Sequence, residues 1–432
     1  MKNMIVRLAA LFCFLVTAAG VARAEGFGLY EYSARGISLG GAMMARKPDP
    51  SVVAYNPALL TRLPGMHAMV GASIINPYGK MDWKDAQGNR GNTELRDSVW
   101  AIPHAYFTWQ INDDWFFGIG EFTRFGLGFE YPHEWPGRFN IYEVSLKSGS
   151  LNPNIAWKAT EKLSVAVGVE LVYVDLDIKK RARVQAHPQL PDYFEIDSNI
   201  HKAQDFGVGA NVALHYQFSD QWAAGIQYRS PARVHAHGDV MFSFKEATLI
   251  SGMITEAQMK NGYDATFKDG TAHSIVTLPE SVQMGIAWTP IPELSFEVDA
   301  LWTRWSRFRH LNIHLPHGLP TSQSNKHWED TWRLSAGIEY DVNDWLTLRG
   351  GYVYDQSPMT EYYADYLVPT ADRHIYSVGV GLKYEAWTLD LAYAYIDAIG
   401  RSYRAKSETY TLDSSVKSSA TNIFSVSLSY AF

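Results

Sequence analysis

From about residue 66 to its end, the chain repeats stretches in which apolar and polar side chains alternate. A period of two means β-strands with two unlike faces. The final stretch is the plainest. Phe424, Val426, Leu428, Tyr430 and Phe432 fall on one face, and Ser425, Ser427, Ser429 and Ala431 on the other. Leu163, Val165, Val167, Val169, Leu171 and Tyr173 likewise alternate with Ser164, Ala166, Gly168 and Glu170. So do Val208, Ala210, Val212, Leu214, Tyr216 and Phe218 with Gly209, Asn211, Ala213, His215 and Gln217. Trp387, Leu389, Leu391, Tyr393 and Tyr395 follow the same rule. One such strand would fit the edge of a soluble sandwich. A long series of them predicts an all-β transmembrane barrel, with one face to lipid and the other to the lumen.

The connections carry a second signal. Short polar turns fall at Asn112-Asp113-Asp114, Thr160-Glu161-Lys162, Ser219-Asp220-Gln221, Pro290 to Glu293, Asn343-Asp344 and Glu385-Ala386. Between them lie longer connections near 80–96, 131–140, 183–204, 245–270, 315–326, 357–372 and 401–420. Short and long alternate, as periplasmic turns alternate with outer loops, and the strands between them number about 14, an even count with both termini periplasmic. The final aromatic Phe432 resembles the terminal signal read by the outer-membrane barrel assembly machinery.

Composition fits the same frame. Aromatic residues make up 14%, with Trp 14 and Tyr 25, as two interfacial girdles require. A net charge of -7 spread along the chain excludes a nucleic-acid footprint. Residues 1–24 read as a secretory signal. Lys2 and Arg7 precede an apolar centre over 8–19, and Ala22-Arg23-Ala24 supplies the small-x-small cleavage site. The mature chain is therefore expected to begin at Glu25. The single cysteine, Cys13, falls inside that signal, so no disulfide, thiolate metal site or cysteine nucleophile is expected.

Residues 25–65 break the pattern. Ala34, Gly36, Gly40, Gly41, Ala42 and Ala45 are small, and Pro48, Pro50 and Pro57 interrupt any long helix or strand. A compact irregular segment ahead of a wide barrel predicts a hatch inside it, leaving 66–432 as the barrel.

Several stretches resemble the outer-membrane long-chain fatty acid transporters (FadL-type), whose relatives take up aromatic hydrocarbons. Gly26-Phe27 and Asn56-Pro57-Ala58 resemble the start and core of that family's hatch. Trp135-Pro136-Gly137-Arg138-Phe139 and the run from Leu151 to Lys158 resemble its third and fourth strands. Leu278-Pro279-Glu280-Ser281 and the run from Trp302 to Phe308 resemble its eighth and ninth. Asp330-Thr331-Trp332-Arg333, the run from Leu348 to Tyr352, and Asp355-Gln356-Ser357-Pro358 resemble its tenth and eleventh. The series runs in order from Gly26 to Phe432, and the long loops match least.

The resemblance implies passive uptake of a hydrophobic molecule, through loop capture, an internal pocket, hatch movement and lateral release through the wall. It places Phe27 at the internal ligand site, and it places the opening on the third strand. There Gly126 and Gly128, in Phe125-Gly126-Leu127-Gly128-Phe129, suit a kink; packing relief against the hatch would use the same glycines. Asn56, Pro57 and Ala58 suit a shaping role in the hatch. A fatty acid carboxylate leaving water needs a cation. Lys180, beside Lys179, Arg181 and Arg183, ends the fifth strand, and Lys326 opens the tenth; both resemble the family's basic positions near ligand. Contact with lipopolysaccharide phosphates is the other use for such a cluster. The family implies a monomer in contact with outer-membrane lipid and lipopolysaccharide.

His310, His314 and His317 form one loose cluster, and His235 and His237 another. Neither has firm ligand spacing, so no metal site and no cofactor are expected. No Ser–His pair stands out as a phospholipase would need, so no catalytic residue is assigned. Long-chain fatty acids are the leading substrate, aromatic hydrocarbons of the toluene or xylene type the alternative. A general aqueous porin is the reading from another class, and the irregular N-terminal segment argues against it.

Overall fold

The structure is a computed structural model describing residues 26–360, 362–407 and 410–432; the expected signal segment and Glu25 lie outside the described residues. Among the described residues, fourteen antiparallel wall strands close into a barrel. The first four are β1 (Met66–Asp85), β2 (Trp100–Gln110), β3 in two halves (Trp115–Phe122 and Leu127–Glu130) and β4 (Glu143–Lys158). Next come β5 (Leu163–Gln185), β6 (Tyr193–Gln217), β7 (Trp222–Arg229 and Ala232–Thr248) and β8 (Gly270–Leu278 and Ser281–Ile291). The last six are β9 (Leu294–Thr303), β10 (Thr331–Asn343), β11 (Leu346–Asp355), β12 (Arg373–Tyr384), β13 (Trp387–Ala398) and β14 (Tyr410–Ala431). β14 pairs back onto β1, from His67 opposite Ala431 to Asp85 opposite Leu412, and that ladder closes the wall. Pro231 and Pro279 sit at the interruptions of β7 and β8, where a residue without an N–H cannot serve the ladder.

The alternation read from sequence sorts the faces as expected. Phe424 is 56% exposed on the outer face, whereas its neighbour Ser425 is 6% exposed toward the interior. Stacked aromatic pairs beside the short turns, Trp115 with Trp157 and Trp222 with Trp288, form one girdle. Tyr173 and Phe206, 5.2 Å apart, belong to the other, nearer the long connections.

Several expected loops are instead strand. β5 and β6 run on to Gln185 and from Tyr193, so the 183–204 connection shrinks to a turn. Residues Arg90–Glu94 fold back on β1, and Arg401–Ser407 on β14. The 245–270 connection holds an eleven-residue helix, Glu256–Thr266, capped by a reciprocal Thr255–Gln258 box. His310–Ile313 and Ser322–Asn325 pair as a small hairpin over the interior. Polar composition marked these segments as loops, yet water on both faces of a protruding hairpin permits polar strands.

Residues 26–65 lie inside the barrel. Ser33 caps helix α1 (Ala34–Ser38) by accepting from Gly36 N–H. Helix α2 (Val52–Tyr55) is followed by a 3-10 turn, Pro57–Arg62, whose cap is Asn56. Leu39, Met43, Val52 and Leu59 are all at or below 1% exposure. Charges tie this segment to the wall. Arg35 meets Glu339 at 2.8 Å, and Arg46 meets Glu297 at 2.9 Å with neither side chain exposed. A buried guanidinium is tolerable only when paired and hydrogen-bonded, and Arg46 also donates to the Gly337 carbonyl.

Candidate functional site

The interior changes character along the strands. On β5 the inward positions begin as Ser164, Ala166, Gly168 and Glu170, then become Val172, Val174, Leu176 and Ile178, all buried or lacking a side chain. Phe194, Ile196, Ile200, Val234, Val240, Phe242, Val276 and Leu278 continue that apolar half on β6, β7 and β8. The lumen is thus polar toward the short turns and apolar toward the long connections. A cavity of about 790 Å³ lies at the apolar end. Ile178, Ile196, Ile200 and Phe242 from the wall and Leu311 and Ile313 from the small hairpin line it, together with Lys180, Arg181 and Arg183.

Those cations are engaged. Lys180 Nζ donates to Ser322 Oγ at 2.8 Å. Arg181 contacts Glu134 at 3.0 Å and Asp197 at 3.2 Å, and Arg183 contacts Glu195 at 3.2 Å. The hydrogen bond from Arg181 holds the Glu134 carboxyl below its ordinary range. Lys326 precedes β10 rather than opening it, and its buried ammonium pairs with Asp365, a lining residue of the cavity. The hairpin therefore brings together two lysines that lie far apart in sequence: Ser322 takes Lys180, and Ser324 donates to Asp365 at 3.1 Å.

Phe27 is 5% exposed in a box of Phe125, Trp305, Phe308 and Trp328, with ring centroids between 4.8 and 5.9 Å away. Its backbone also reaches the wall. Gly126 N–H donates to the Phe27 carbonyl at 3.0 Å and Leu29 N–H to the Arg124 carbonyl at 2.8 Å, so Gly28 stands opposite Phe125 as a short added strand.

That added strand sits on a break. In β3, Phe122 pairs with Ser150 and Leu127 with Leu146, so the four residues 123–126 face the three residues 147–149. The extra residue is a bulge. Beyond it, Leu127–Glu130 forms a ladder with β4, while the β2–β3 ladder ends at Ala105 opposite Glu121, and the far end of the gap is bridged by Arg96 N–H donating to the Glu130 carbonyl at 2.9 Å. The indole of Trp100 lies across this gap against Gly128, where a Cβ would come within 2.1 Å of the ring. A Cβ on Gly126 would come within 2.6 Å of Leu29. The two glycines thus accommodate packing at a kinked strand.

The structure therefore joins Phe27 with Gly126 and Gly128 at the break, and Lys180 with Lys326 at the cavity. Asn56, Pro57 and Ala58 lie elsewhere, toward the short turns. Asn56 donates to the Met44 carbonyl at 2.6 Å and to Leu214 on β6 at 3.1 Å, and accepts from Ala58 N–H at 3.1 Å. Trp100, Trp328 and Asp365 belong to the site without having been singled out in sequence. Trp305 and Phe308 fell inside a matched run, but nothing there marked them as partners of Phe27. Glu130, His133 and Glu143 bring ligand atoms within 4.8 Å of one another, yet Arg96 already holds Glu130 and Lys179 holds Glu143.

Known proteins match this architecture along nearly its whole length. Outer membrane protein P1 of Haemophilus influenzae is 27% identical over 423 residues, covering 88% of each chain. The long-chain fatty acid transport protein of Escherichia coli is 24% identical over 394 residues, covering 86% of each. The crystal structure of a Pseudomonas aeruginosa FadL homologue superposes with a TM-score of 0.83 at 20% identity, covering 94% of this chain and all of that one. With residues 15–432 matched by the family model, this chain belongs to the outer membrane protein transport proteins (OMPP1/FadL/TodX), which carry hydrophobic compounds across the bacterial outer membrane.

Proposed function

We propose that this chain passes long-chain fatty acids passively into the outer membrane, with residues 26–65 acting as a movable hatch. A ligand partitions from the outer loops into the cavity beneath the small hairpin. Its tail runs toward the box around Phe27, and its head stays near Lys180 and Lys326. Displacing Phe27 withdraws the Phe27 carbonyl from Gly126 N–H and frees the bulge. The ligand then leaves sideways between β2 and β3, past Trp100, so its apolar surface is never returned to water.

The observation that carries this reading is the Phe27 to Gly126 hydrogen bond, which joins the ligand end of the hatch to the one β2–β3 gap among the described residues. A second reading, uptake of an uncharged aromatic hydrocarbon by the same route, draws support from the carboxylates that already neutralise Arg181, Arg183 and Lys326.

Equilibrium binding of labelled oleate to the purified chain in mild detergent, with toluene as competitor, tests both. Saturable oleate binding weakened by Phe27→Ala and Lys326→Ala is the expected result. Displacement by toluene with no effect of Lys326→Ala selects the hydrocarbon reading. Absence of binding for either, with a large steady conductance in planar bilayers, would return the chain to the porins.

A further inference from the structure

We infer that His237, His273 and His314 form a surface site for a divalent transition-metal ion of the zinc, copper or nickel class. In sequence His237 and His314 belong to separate loose clusters, but the fold puts them in one row. His237 stands directly opposite His273 across the β7–β8 ladder. His273 is in turn bridged to His314 on the extension of the small hairpin. The two backbone bonds of that bridge measure 3.1 and 2.9 Å. They use the N–H and C=O of His273, so the pair it makes with His237 is of the non-hydrogen-bonded kind, in which side chains stand closest.

The rings are placed and available. Their centroids lie 6.0 Å apart for His237–His273 and 4.7 Å for His273–His314. All three residues are exposed. Thr321 Oγ1 lies 3.1 Å from His314 Nδ1, which leaves Nε2 of that ring for a ligand. Such a partner on one ring nitrogen is what orients a metal-binding histidine. No side-chain hydrogen bond among the described residues occupies the ring nitrogens of His237 or His273. Neutral imidazoles suit zinc, copper and nickel, and two or three of them with water complete the coordination. The rings stand roughly parallel, with interplanar angles of 24° and 20°, so binding one ion requires the exposed side chains to turn toward a common point.

The row lies one pleat beyond the Tyr173–Phe206 girdle, in register with Asp175 and Gln204. It faces outward, away from the cavity, and so stands independently of the transport reading.

The test is titration of the full-length chain in detergent with nickel ions, followed by calorimetry and by the visible absorption of the complex. One saturable ion per chain is expected. His273→Ala abolishes that binding, His237→Ala and His314→Ala each weaken it, and Thr321→Ala weakens it roughly tenfold. His133→Ala, at the Glu130–Glu143 cluster, leaves it intact. Circular dichroism confirms that each variant remains a barrel. Binding unchanged in His273→Ala, or lost in His133→Ala instead, overturns the inference.

Discussion

Asp365 neutralises Lys326 at the edge of the cavity, and the lysine side chain is only 1% exposed. A ligand carboxylate therefore competes with one already in place. Removing the competitor should favour anions and leave neutral ligands alone. Asp365→Asn is expected to tighten oleate about tenfold, or about 1.4 kcal/mol, with oleyl alcohol unchanged. Paired binding curves for the two ligands decide it; equal loss of both would mean that Asp365 only shapes the loop.

Gly28 and Phe125 face each other in an antiparallel bridge between the N-terminal segment and the broken strand. Residues so paired have Cα atoms within disulfide reach, about 4.5 Å. A Gly28→Cys, Phe125→Cys chain is expected to take up fatty acid when reduced and to stop when oxidised, with the same binding in the two states. Uptake that continues through the oxidised form would show that the segment need not leave the wall.

Phe27 fills an aromatic box, so Phe27→Ala creates a hole as well as removing the proposed ligand contact. A core Phe→Ala change costs about 3–5 kcal/mol, and part of that falls here on the docking of the segment. Expected outcomes are weaker oleate binding and earlier proteolytic cleavage near residue 30, read by limited digestion.

Arg46 and Glu297 are wholly buried together, and Glu297 also accepts from Ala45 N–H at 2.7 Å. Breaking such a pair leaves a lone buried charge and costs about 3–5 kcal/mol. Arg46→Ala is expected to loosen the segment and give intermittent ion currents in planar bilayers, with the parent chain expected to be quiet. A silent Arg46→Ala chain would mean that packing alone holds the segment.

The barrel was legible because its solvent imposes the pattern: lipid outside and a filled lumen inside write a period of two into every strand. Phe424 and Ser425 needed no further context to be sorted. The apolar half of the lumen was harder to see. Val172, Val174, Leu176 and Ile178 face inward, yet they follow Leu171 and Tyr173 in a run that alternation alone cannot assign. Lys180 and Lys326 were singled out by residue type and resemblance; Asp365, the partner of Lys326, was not, because a carboxylate 39 residues from its lysine leaves no local trace. Gly126 and Gly128 drew attention to the third strand by residue type, but Trp100, whose ring lies against Gly128, sits on a different strand.

The ion pairs that hold the N-terminal segment also record the order of assembly. Arg46 meets a partner 251 residues away and Arg35 one 304 residues away. Closing loops of that length is entropically costly and follows local strand pairing. Arg35 also meets Asp49 of its own segment at 3.4 Å, but Arg46 has no carboxylate among the described residues until β9 has joined the wall, and Arg35 lacks Glu339 until β10 has. A chain arrested before that point carries the Arg46 guanidinium with no buried partner, and its first segment has less reason to stay inside. Docking of that segment is thus contingent on a nearly complete cylinder, which makes the earliest residues synthesised a late check on the strands that follow them.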